Sequence, residues 1–160
     1  MTAQIAENLL YRGESMAMCT EPLEKYFILS CTFPKFESNC TALWRGYVGS
    51  WEIVNERLYL VGLDGTLEDG TNVSVSTFFP DFPDRVFAHW FSGTIRIPQG
   101  KQLRYVHMGY ASTFERDLFL DLQRGVVVGS RISNNGVSDS EDAPDGYGVA
   151  AMTVFPSGRR

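Results

Sequence analysis

The alternation of apolar and polar positions is clearest between Leu43 and Leu63, in LWRGYVGSWEIVNERLYLVGL. Leu43, Tyr47, Trp51 and Ile53 fall on one face of an extended segment. Asn55 and Glu56 supply a short polar turn, and Leu58, Tyr59, Leu60, Val61 and Leu63 return with no polar face. That pattern predicts a β-hairpin whose second strand lies in the centre of a sheet, because a strand apolar on both sides needs neighbours on both sides. Gly46 and Gly49 interrupt the first strand, and glycine there marks a bulge, a bend or a close approach by another group. The sheet is therefore expected to curl.

The flanking pattern supplies the other elements. Leu9 to Thr20 reads as an entering strand. Thr20 as a cap, Pro22 at the first helical position and acids at Glu21 and Glu24 predict a helix from Pro22 to Leu29, with Leu23, Phe27 and Tyr26 facing inward. Phe33 to Thr41 reads as a loop, and Val73 to Phe79 alternates as a further strand. Val86 to Pro98 reads as a long strand that turns at Gln99-Gly100-Lys101 and returns over Leu103 to Ser112. Phe114 to Leu122 and Val126 to Val128 follow. The expected fold is mainly β, with α+β as the alternative: a curled antiparallel meander, a half-barrel or barrel of about seven to nine strands, covered by one short helix. Residues 1–130 form a single β-rich domain in this reading. Residues 131–148, with Asp139, Glu141, Asp142 and Asp145, form an acidic flexible linker or loop, and 149–160 a last strand or tail.

Composition sharpens the partner class. Aromatic residues make up 13% of the chain, which suits pleated, half-buried surfaces and supplies anchors for recognition. The formal net charge of -5 repels nucleic-acid phosphates and favours a protein partner with a basic surface. No run approaches the ~20 apolar residues of a membrane span, and MTAQIAENLLYRGE carries an acid where a signal peptide needs a basic start, so a cytoplasmic chain without a membrane partner is expected. Cys19, Cys31 and Cys40 are an odd number without C-x-x-C spacing and read as reduced thiols.

The residues with the most chemistry to offer are His89, His107 and Glu115, an acid/base set if folding brings them within hydrogen-bond reach. In the expected pairing the two histidines fall several residues apart along the ladder, too far to share one metal ion, and no metal site is assigned. The structural reading gives each histidine a partly polar slot among aromatics, where it donates a hydrogen bond. The chain contains no phosphate-binding G-x-x-x-x-G-K-[ST], no G-x-G-x-x-G, no G-x-S-x-G and no H-E-x-x-H, and no cofactor is assigned. Two functions remain. One is a binding module of the immunity or inhibitor type, with Arg45, Trp51, Trp90 and Tyr105 as candidate binding residues. The other is a small enzyme with His89, His107 and Glu115 in the mouth of the curled sheet. The sequence leaves the oligomeric state open.

The strings ALWRGYVGSWEI, RLYLVGL, VFAHWFSGTIRIPQG and YVHMGYASTFERDLFLDLQRGVVV resemble those of a family of small bacterial proteins with no assigned activity. The resemblance spans Leu10 to Val128 and leaves the tail outside it. It implies a bacterial or phage-related origin and one compact unit, and it carries no catalytic residue onto this chain.

Overall fold

The computed structural model describes residues 2–38 and 40–147. Eight strands and two helices follow the order β1 (Glu7–Tyr11), β2 (Glu14–Met18), α1 (Pro22–Leu29), β3 (Tyr47–Val54), β4 (Arg57–Gly65), α2 (Val75–Phe78), β5 (Val86–Phe87), β6 (Gly93–Arg104), β7 (Thr113–Gln123) and β8 (Val126–Asn134). The strands form one curled sheet in the order β2-β1-β3-β4-β8-β7-β6, with β5 added to β4. All strand pairs are antiparallel except β1 with β3, so the sheet is mixed rather than purely antiparallel. The expected mainly β half-barrel is the observed architecture. The strand anticipated at 149–160 lies outside the described residues.

Three two-residue turns set the registers. Arg12-Gly13, Asn55-Glu56 and Arg124-Gly125 all have positive φ at both residues, the geometry whose twist matches the flanking strands. The hairpin anticipated at Leu43 to Leu63 forms as β3 and β4, and its apolar second strand sits between β3 on one side and β5 and β8 on the other. Only Arg57 and Val126 pair between β4 and β8, because β5 takes the next stretch of the β4 edge. The sheet splays there.

The concave face holds the main core. Leu9, Trp51, Leu60, Ile95 and Leu120 come from the sheet, and α1 buries Leu23 and Phe27 against them. A smaller apolar cluster of Ala6, Cys19, Phe114 and Tyr147 lies apart from it. The helix spans the residues that the proline and acid signals predict, but its cap is Glu21 and not Thr20. Thr20 instead accepts a hydrogen bond from the Arg96 backbone N–H at 3.1 Å, helping to join β2 to β6 across the sheet opening.

Four expected elements differ. Leu9 to Thr20 is not one strand but part of the β1–β2 hairpin, reversed at Arg12-Gly13, and Val86 to Pro98 is broken at residues 88–92, so that β5 pairs with β4 and β6 with β7. Val73 to Phe79 is a single helical turn, α2, because Val75, Phe78 and Phe79 reach the core on one side at helical spacing while the Ser74 N–H donates to Thr77 Oγ1. Gln99-Gly100-Lys101 is not a turn. Gly100 adopts φ 81° within β6, where the ladder with β7 is irregular, and the chain continues to Arg104 before reversing. The returning strand is therefore β7, reached through a loop over residues 105–112 that Ser112 Oγ closes by accepting the Val106 N–H. Among the described residues, no helix is long and apolar enough to cross a membrane.

Candidate functional site

The most concentrated polar chemistry lies around Glu7, at the start of β1. Its alternation with Leu9 and Tyr11 points it to the concave face, so an acid is fully buried among apolar side chains. Glu7 Oε2 accepts from Arg45 Nη2 at 2.6 Å, Arg45 Nε at 3.2 Å and the Gly49 N–H at 2.8 Å, while Oε1 accepts from Trp51 Nε1 at 2.8 Å. Gly49 makes this possible: a Cβ there would stand 2.4 Å from Glu7 Oε1. Burial pushes the Glu7 carboxyl above its ordinary range, and Arg45, Gly49 and Trp51 pull it back. Every group touching the carboxyl is a donor, which is the environment of a carboxylate, and Glu7 in turn holds Arg45 charged.

Arg45 extends the network outward. Its Nη1 donates to the Ile5 carbonyl at 2.8 Å and to Tyr110 Oη at 3.2 Å, and lies 3.4 Å from Glu21. The Tyr110 hydroxyl donates to Glu21, and the Tyr47 hydroxyl to Glu24. Burial pushes both phenols above their usual range. With its donors and acceptors paired to one another and Glu7 sealed from solvent, the network fastens the N-terminal segment, α1 and β3 together. Its partly exposed acids are Glu21 and Glu24.

The candidate acid/base residues occupy separate elements. Glu115, on β7, accepts the Lys101 N–H at 2.9 Å on Oε1 and the Ser138 N–H at 2.8 Å on Oε2, and these bonds hold its carboxyl below the ordinary glutamate range. It ties the stretch after β8 to the β6 irregularity. His107 shares a 2.8 Å hydrogen bond with the Tyr105 hydroxyl on the 105–112 loop, where both side chains are exposed. His89 is exposed beyond β5, its ring edge-on to Trp90 with centroids 5.7 Å apart. No hydrogen bond among the described residues joins the three. No three His, Cys, Asp or Glu side chains among the described residues converge as metal ligands.

The candidate binding residues divide between core and surface. Arg45 and Trp51 are engaged by Glu7 inside the molecule. Trp90 is half-buried, donates Nε1–H to the Pro22 carbonyl at 2.9 Å and stacks on Phe79. Tyr105 is exposed, and so is Trp44. The acidic stretch after β8 lies along the body, with Gln102 N–H donating to the Pro144 carbonyl and Gly146 N–H to the Gly100 carbonyl.

Two surface features remain. β2 and β6 meet where the Cys19 N–H donates to the Arg96 carbonyl, then diverge, leaving an open cleft of about 620 Å³ between Ser15 and Ala17 on one edge and Pro98 and Gly100 on the other. At the opposite end of α1, Phe27, Phe36 and Phe78 pack together and join α1, the loop after it and α2. α1 carries Ile28 and Leu29 outward, the loop after it carries Phe33, which is 71% exposed, and the segment after α2 carries Phe82. The exposed acids Asp64, Glu68, Asp69, Asp81 and Asp84 lie on the end of β4 and on the segments before and after α2, the Glu68 N–H donating to the Lys35 carbonyl of the loop after α1, and between Arg57 and Arg85 the chain has no base. Sequence reasoning passed over both Glu7 and this apolar end. An acid in phase with Leu9 and Tyr11 was a signal for the first, and a base-free run ending in FPDFPD for the second. Comparison with protein-family models, with curated proteins and with solved structures returns no match for this chain.

Proposed function

We propose that this chain is a cytoplasmic protein-recognition module of the immunity or inhibitor type, whose partner presents a basic surface to the acid-rimmed apolar end formed by α1, α2 and the loop after α1. The observation that carries this reading is the exposure of Ile28, Leu29, Phe33 and Phe82 on elements that also carry, or adjoin, five exposed acids. Large apolar side chains held outward by a rigid aromatic base are the kind of anchor that fills a partner's pockets, and a charged rim steers the encounter and fixes its sign. Lys25 and Lys35 on α1 and its following loop are matched there by Glu24 and Glu37, so the excess of acid comes from Asp64, Glu68, Asp69, Asp81 and Asp84. The same surface repels nucleic-acid phosphates.

The test is capture from the native host with the purified chain, followed by mass spectrometry, using wild type beside a Phe33→Ser/Phe82→Ser variant that leaves the inner aromatic base intact. A stoichiometric basic protein retained by wild type and lost by the variant supports the reading. The same proteins retained by both, or none by either, would overturn it.

A further inference from the structure

Among the described residues, the outer edge of β8 has no strand beside it beyond Val126. The Val127 N–H donates to the Glu56 carbonyl on the β4 side, whereas the Asn135 N–H donates to the Glu115 carbonyl on the β7 side. Counting back from Asn135 in steps of two, Ser133 and Arg131 turn their backbone groups to β7, and Ser130, Ile132 and Asn134 turn theirs outward. These three residues are exposed, and among the described residues no strand pairs with them on that side. Ile132 and Val128 are 57% and 62% exposed.

Natural edges of this length are normally blunted by lysine, proline, a bulge or a covering loop, because a bare row of N–H and C=O groups templates another strand. From Gly129 to Asn134 there is no lysine and no proline, and the pairing with β7 is regular. The charge pattern favours a particular guest. In a chain of net charge -5, the stretch from Leu122 to Ser138 contains no acid, and its Arg131 is paired with Asp121 at 2.8 Å. Two acidic molecules can approach there without like charges meeting.

We propose that β8 is a self-association edge, at which a second copy of this chain pairs antiparallel about a two-fold axis at Ile132. In that register Ile132 faces its own copy and Ser130 faces Asn134 in both directions, so every outward backbone group finds a partner. Arg131 lies opposite Ser133 and not opposite another cation. The interface is isologous and closes at two copies, so it does not propagate into a fibre.

The test is the molar mass of the full chain by light scattering or sedimentation equilibrium, over a concentration series reaching about 1 mM, where weak interfaces of small area become populated. Wild type is expected to approach twice 18.0 kDa. Ile132→Lys places like charges face to face on the axis, and Ser130→Pro removes an N–H that makes no bond within the monomer. Both are expected to stay at 18.0 kDa with an unfolding transition as cooperative as that of wild type. Hydrogen exchange adds a second readout: the Ser130, Ile132 and Asn134 amides gain at least about tenfold protection as concentration rises, and Arg131 and Ser133 do not. A wild-type mass of 18.0 kDa throughout would overturn the proposal and leave the edge to some other strand. A dimer that persists in both variants would overturn it too.

Discussion

Gly49 is the residue on which the buried network turns, because its missing side chain is the space that Glu7 fills. Gly49→Ala drives a methyl into Glu7 Oε1 and Trp51 Nε1 and is expected to cost about 1–3 kcal/mol, read as a lower urea midpoint at unchanged slope. Glu7→Gln leaves the Arg45 cation buried without its carboxylate and is expected to cost about 3–5 kcal/mol by the same measurement. The cysteines separate in a similar way. Cys19 is buried and its thiol is pushed up to about 12 by desolvation, while Cys31 is exposed. A thiol reagent at neutral pH should modify Cys31 at once and Cys19 only on unfolding. Little of this residue-level order was legible beforehand. Trp51 and Arg45 stood out by type, but their roles depend on Glu7, whose position in a strand is visible only once Leu9 and Tyr11 are assigned to the core.

Elements were more legible than residues, and the failures have local causes. The β3–β4 hairpin and α1 follow from patterns long enough to fix a period, and each has a turn or a proline to mark its boundary. Val73 to Phe79 is too short to separate period 2 from period 3.6, since Val73 and Val75 are buried under either reading. Gln99-Gly100-Lys101 carries the composition of a turn, and Glu115 on the neighbouring strand captures the Lys101 N–H so that the chain runs on instead. The depressed Glu115 carboxyl fixes the sign of a pH effect. Its two hydrogen bonds are fully present above the ordinary glutamate range and are lost as pH falls through the lower folded value. An NMR titration should show the Lys101 and Ser138 amides moving together on acidification, and Glu115→Gln should abolish that shared transition. The turn at Asn55-Glu56 offers a gain. Glu56 holds φ 64° at a position where glycine is favoured, so Glu56→Gly is expected to stabilise by about 0.5–1 kcal/mol, visible as a melting temperature roughly 1–4 °C higher.

At the scale of the whole molecule, the half-barrel was foreseeable because one strand was apolar on both faces and its partner was broken by glycines. The parallel pairing of β1 with β3 was not, since nothing in either strand distinguishes a neighbour that arrives through α1 from one that arrives through a hairpin. The candidate acid/base set depended on a ladder between the histidine segments, and β6 pairs with β7 instead. What the finished molecule offers outward is an uneven distribution of charge: acids around the apolar end of α1, and an acid-free edge at β8. That distribution separates recognition of a basic partner from association with a second copy. The most direct measurement of the recognition claim is site-specific photocrosslinking in the native host, with a benzoylphenylalanine replacing Phe82 in the full chain. The expected result is an adduct with a basic protein, reduced by added salt and lost when Asp81 and Asp84 are changed to lysine. No adduct from position 82 or from position 33, or one that survives that charge reversal unchanged, would contradict it.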